Sequence, residues 1–141
     1  MIKKKIKLIF LLLFLTLSGC YSFPKNNDNP LGLELTLSDI TPTQLVLTCK
    51  QSHTNFSNEV TTDLHYWIQK YEDNKWKDLE YITQVFFDET VEYSIPKNGE
   101  YYWTLVWSGI YGDLTVGTYR VKKIFKYKDK EYEYYAKFKI E

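Results

Sequence analysis

The sequence predicts an all-β domain, a sandwich of about seven antiparallel strands, and three observations carry that expectation. From Leu31 onward apolar and polar residues alternate with period 2, and no stretch sustains the i, i+3, i+4, i+7 spacing of an amphipathic helix. Turn residues punctuate that alternation at a spacing of roughly 8 to 15 residues. Aromatic residues reach 18% of the 141-residue chain, beside 44% apolar and 26% charged. This composition can bury a core, and it excludes disorder, collagen-like repeats and a polytopic membrane protein.

The chain starts with a segment of another kind. Lys3, Lys4, Lys5 and Lys7 form a cationic head, and the apolar run from Ile6 to Leu17 is broken only by Lys7 and Thr16. About 12 residues cannot cross a hydrocarbon core, which needs about 20, but they fit the h-region of an export signal. The run closes in Leu17-Ser18-Gly19-Cys20, which resembles the bacterial lipobox. That resemblance implies a signal peptide over residues 1–19 and a diacylated Cys20 as mature N-terminus, anchored at the outer face of the cytoplasmic membrane. An ordinary secretory signal followed by a chance cysteine is the alternative. Residues 20–30, with Asn26, Asn27, Asp28, Asn29 and two prolines, suit a flexible tether. No acid precedes residue 20, so the remainder carries 14 basic against 18 acidic residues, a net of −4. That balance argues against a nucleic-acid partner, which needs a basic face.

The folded domain is expected over residues 31–141. Leu33, Leu35 and Leu37 share one face of a first strand, and after Thr41-Pro42 the residues Leu45, Leu47 and Cys49 share one face of a second. Residues 51–63 are polar and expected to form a loop. Residues 64–71 and 75–79 form a hairpin around Glu72-Asp73-Asn74. Residues 81–95 supply one or two strands with Val91, Tyr93 and Ile95 on one face, and Pro96-Lys97-Asn98-Gly99 is a turn. Tyr101, Trp103, Leu105 and Trp107 then alternate inward. A last pair, residues 117–128 and 131–140, is joined at Asp129-Lys130, with Tyr132, Tyr134, Ala136, Phe138 and Ile140 on one face.

Between residues 107 and 123 lies Trp107-Ser108-Gly109-Ile110-Tyr111-Gly112-Asp113-Leu114-Thr115-Val116-Gly117-Thr118-Tyr119-Arg120-Val121-Lys122-Lys123. This segment resembles W-x(3)-Y-G-x-L-x-x-G-x-Y-R-φ-x-K of the bacterial immunoglobulin-like domains of Gram-positive surface lipoproteins. Lys70, Asp73-Asn74-Lys75 and Trp76 resemble that family's hairpin. The resemblance covers roughly residues 31–141 and implies an immunoglobulin-like sandwich. Gly112 and Gly117 are then expected at φ > 0 in the crossover. Tyr119 is expected to form a tyrosine corner, its ring buried and its hydroxyl tied to nearby backbone. Cys49 and Val121 fall where antibody domains place their two cysteines, so a buried thiol stands in place of a disulfide. With Cys20 lipidated, Cys49 has no partner. An inert buried thiol is the main expectation, and a reactive or dimerising thiol the alternative.

Residues with catalytic potential are sparse. His53 and His65 are the only histidines, and their spacing fits no metal-ligand pattern. No Gly-x-Ser-x-Gly elbow or glycine-rich phosphate loop is present, and Asp88-Glu89 or Glu131 and Glu133 suit solvated faces better than a glycosidase pair. No catalytic residue, metal or cofactor is therefore expected. Aromatic excess is the remaining signal. Trp76, Tyr102 and Tyr135 are candidate exposed contacts, and Trp107 and Tyr111 flank the crossover with ring area expected to be wet; such rings suit protein contacts or sugar stacking. Arg120 is expected outward in a surface salt bridge, with an anion contact as the alternative. The expected function is a non-enzymatic, membrane-anchored binding or scaffolding module for a cell-envelope protein or glycan, its oligomeric state open. The alternative is an inhibitor or modulator of an extracytoplasmic enzyme such as a wall hydrolase or protease.

Overall fold

The computed structural model describes residues 29–52, 60–88 and 90–141. The signal segment, Cys20, the tether up to residue 28, His53 and Glu89 lie outside the described residues. β1 (Leu33–Ser38) pairs antiparallel with β2 (Gln44–Gln51), Leu33 opposite Gln51 and Leu37 opposite Leu47. Next come β3 (Val60–Thr62), β4 (Trp67–Glu72), β5 (Lys75–Asp78), β6 (Tyr93–Ile95) and β7 (Glu100–Val106). A one-turn helix, α1 (Ser108–Tyr111), leads to β8 (Gly117–Tyr127) and β9 (Lys130–Ile140). One sheet has the order β1-β2-β7; the other runs β5-β4-β8-β3-β6, with β9 on the remaining side of β8.

The protein is thus an all-β, immunoglobulin-like sandwich of antiparallel strands. Alternation puts Leu45, Leu47 and Cys49 of β2, Trp103 and Leu105 of β7, and Tyr119, Val121 and Phe125 of β8 into one core with Ala136, Phe138 and Ile140 of β9. Two hairpins close on two-residue turns, Asp73-Asn74 (φ 52° and 60°) and Lys128-Asp129 (φ 49° and 61°). Both central residues are left-handed, as the right-handed twist of the flanking strands requires. The second turn therefore sits one residue before the expected Asp129-Lys130.

Three expectations need correction. Val60–Thr62 forms a strand where a loop was expected, because Val60 and Thr62 are fully buried and Thr62 Oγ1 donates to Ile124 O at 2.6 Å. Among the described residues, 81–88 and 90–92 form no strand, and Val91 is exposed, so the expected face reduces to Tyr93 and Ile95. Asn29, expected in the tether, is part of the domain. Its side chain donates to Leu33 O and accepts from Leu33 N at 2.9 and 3.0 Å. It also accepts from the Tyr134 hydroxyl at 2.6 Å, while Leu31 N donates to that same hydroxyl at 3.2 Å.

Candidate functional site

The motif residues close the sandwich. Trp107 and Tyr111 are buried, at 0% and 8% exposure, so neither crossover ring is wet as expected. Trp107 Nε1 donates to Pro42 O at 2.8 Å, and Ile68 N donates to the Tyr111 hydroxyl at 3.4 Å. Gly112 ends α1 at φ 77°, its N–H on Ser108 O. Tyr119 is the expected corner, 1% exposed with its hydroxyl donating to Thr115 O at 2.8 Å. Gly117, however, has no positive φ. It is small because a Cβ there meets the Tyr119 ring and Lys70 Cε at 3.3 Å, so its role is to admit the corner ring.

Four residues past Tyr119, after Val121 on the same inner face of β8, the pattern places Lys123, which is 0% exposed. Residues 61 and 67 pair with Lys126 and Lys122, so the chain between β3 and β4 bulges. Lys123 Nζ reaches into that bulge, donating to Asp63 O and to His65 O, the latter at 3.0 Å, and lies over the Trp103 ring at 5.3 Å. Burial lowers its pKa to about 8, against the pull of Asp63 and Cys49. The Cys49 thiol is also fully buried and is pushed up to about 12 by desolvation, which Lys123 only partly offsets. The thiol is therefore protonated and shielded at neutral pH.

The outer face of the same sheet gathers the outward aromatics. Arg120 is not in the expected salt bridge: it makes no ion pair among the described residues. Its guanidinium instead lies between two rings, 4.0 Å from the Tyr135 centroid and 4.5 Å from that of Trp76. Its Nε donates to Gln69 Oε1 at 2.5 Å, and Gln69 Nε2 donates to Asp78 Oδ1 at 2.7 Å. Lys137 Nζ stands 5.7 Å from the Trp76 centroid. Farther along, Lys122 covers Trp67 at 4.5 Å, and Trp67 stacks on His65, which stacks on Phe87. Register explains the assembly, since Gln69 pairs with Arg120, Arg120 with Lys137, and Lys122 with Tyr135. Trp76 and Tyr135 thus meet over Arg120, while Tyr102, 69% exposed, stands apart on the other sheet. Lys122, Trp67 and Gln69 were not anticipated; outward alternation on β8 and β4 was the available signal. Among the described residues no three His, Cys, Asp or Glu side chains group as metal ligands.

A two-sheet antiparallel sandwich locked by a tyrosine corner is the architecture of immunoglobulin-like domains. The profile of the bacterial Ig-like domain family matches residues 29–139, and the chain belongs to that family. No curated protein and no solved structure shows significant similarity to it.

Proposed function

We propose that the chain is a non-enzymatic binding or scaffolding module, held at the outer face of a bacterial cytoplasmic membrane by lipid on Cys20. The observation that carries the binding role is the aromatic and cationic face around Arg120, because Arg, Trp and Tyr are the side chains that interfaces favour. Membership in the bacterial Ig-like family supports a binding or scaffolding role, and Leu17-Ser18-Gly19-Cys20 supports the anchor. The anchor is tested by Cys20→Ser, which should leave the detergent phase and lose the acyl mass; retention of both overturns it. Crosslinking mass spectrometry on intact cells tests the binding role, and links confined to the chain itself count against it.

A second reading, an inhibitor or modulator of an extracytoplasmic enzyme, is favoured by one feature. Ile82 and Phe86 are 65% and 83% exposed on a segment without strand structure, which suits insertion into a partner's cleft. A pull-down returning one tight, stoichiometric enzyme, lost in Phe86→Ser, selects this reading.

A further inference from the structure

β7 ends its sheet, paired only with β2 and in unbroken register from Glu100 to Val106. At either end of that ladder Gln51 N donates to Gly99 O at 2.9 Å and Trp107 N to Thr43 O at 3.0 Å. Bonded pairs recur at every second residue of an antiparallel ladder, so Tyr101, Trp103 and Leu105 bond β2, while Glu100, Tyr102, Thr104 and Val106 turn their N–H and C=O groups to the free edge. Val106 confirms the phase, since its outward carbonyl accepts from the Tyr66 hydroxyl at 2.9 Å. Among the described residues nothing bonds the outward backbone of Glu100, Tyr102 or Thr104, and a groove of about 350 Å³ is lined by Glu100, Tyr101 and Tyr102. The other edges are guarded. Asn29 takes both outward groups of Leu33 on β1, β6 has only three residues, β5 carries Lys75 and Lys77, and β9 carries Lys130, Lys137 and Lys139. β7 has no lysine, proline or bulge, the devices that keep an edge from pairing.

We propose that β7 pairs antiparallel with β7 of a second copy of this chain, about a two-fold axis at Tyr102, an interface separate from the Arg120 face and beyond the binding-module reading. In this register Tyr102 faces Tyr102 of the second copy, Glu100 faces Thr104 and Tyr101 faces Trp103. The outward N–H and C=O groups of Glu100, Tyr102 and Thr104 all find partners, while Val106, whose carbonyl Tyr66 occupies, stays outside the pairing. A second copy is the occupant this edge fits. Its one charge, Glu100, meets neutral Thr104 and never itself, and the ring of Tyr102, 69% exposed, gains an aromatic neighbour across the strands. The contact is isologous and closes at the dimer, joining the two β1-β2-β7 sheets into one.

The test is oxidative crosslinking of the full chain in intact cells, read as mass on a non-reducing gel. The proposed register sets the two copies of residue 102 about 5.5 Å apart at Cα, within disulfide reach, and the two copies of residue 104 about 14 Å apart, beyond it. Tyr102→Cys should therefore give a species of twice the chain mass, at least about tenfold above Thr104→Cys and above the parent, whose Cys49 is buried. Charge then checks the register. Added to Tyr102→Cys, Thr104→Glu sets a second carboxylate against Glu100 and should lower the yield at least about threefold, whereas Thr104→Lys, which meets Glu100 with the opposite charge, should not lower it. The proposal is overturned if Tyr102→Cys links no better than the parent, if Thr104→Cys links as well, if Thr104→Glu and Thr104→Lys act alike, or if the linked species has a mass other than twice the chain, which would mean a foreign strand on this edge. Should Tyr102→Cys fail to fold, sedimentation of the parent in neutral detergent decides, with one chain per particle at every concentration overturning the proposal.

Discussion

Lys122 and Lys123 are neighbours on β8, yet one covers Trp67 on the outer face and the other is sealed in the core. The outer lysine remains partly exposed to water. The inner one has exchanged water for two backbone carbonyls of the β3–β4 bulge and the face of Trp103. A buried polar group is tolerable only when its partners are in place, so the inner face of β8 depends on each polar contact. The outer face spreads its energy over weak, solvent-screened cation–ring contacts. Substitutions along this one strand should therefore sort by face.

The largest effect is expected at Lys123. Lys123→Ala orphans two carbonyls and opens a cavity, costing at least about 3 kcal/mol by urea denaturation at pH 7. Its pH dependence sharpens the contrast. With a folded pKa of about 8 against 10.5 unfolded, the unfolded chain holds more protons above pH 8. Stability should then rise by about 1 kcal/mol from pH 7.5 to 9 and stop rising as Cys49 and Tyr66, both shifted upward, begin to oppose it. Lys123→Ala should lose this rise; a flat profile in the parent would mean that Lys123 is not buried as a charge.

Next is the tyrosine corner. Tyr119→Phe keeps the ring and orphans Thr115 O, a loss of about 1 to 3 kcal/mol, and Gly117→Val drives a branched side chain against that ring, a loss of about 1 to 3 kcal/mol. Equal midpoints for parent and Tyr119→Phe would remove the corner from the account. The third test is chemical: native Cys49 should resist alkylation and label quickly only in denaturant. The smallest effect belongs outside, where Tyr135→Phe should shift stability by less than about 0.5 kcal/mol. A larger drop there than at Tyr119 would mean the two faces have been exchanged.

The same contrast explains what the letters reveal. Alternation alone orients β7, β8 and β9, since each buries every second residue. It also puts residue 123 inward, in phase with Tyr119, Val121 and Phe125, but a lysine there conflicts with its usual solvation, and only the bulge supplies the carbonyls that resolve the conflict. Arg120 is legible as outward and illegible as stacked, because Trp76 and Tyr135 arrive from β5 and β9 and meet it only once pairing register is known. Gly117 misled for a related reason: a glycine in a crossover suggests an unusual φ, whereas here its missing Cβ makes room for a neighbour's ring.

Asn29 and Tyr134 give the domain a mechanical character. The chain reaches β1 only after being tied to the middle of β9 by the Tyr134 phenol, which bonds the Asn29 side chain and the Leu31 backbone N–H. Tension on the chain before Asn29 is thus shared between Leu33 of β1 and Tyr134 of β9, and β9 is zipped to β8 along its whole length. The β8 and β9 strands also carry the Arg120 face, so a load applied at the N-terminus and a ligand gripped by that face would act on the same pair of strands.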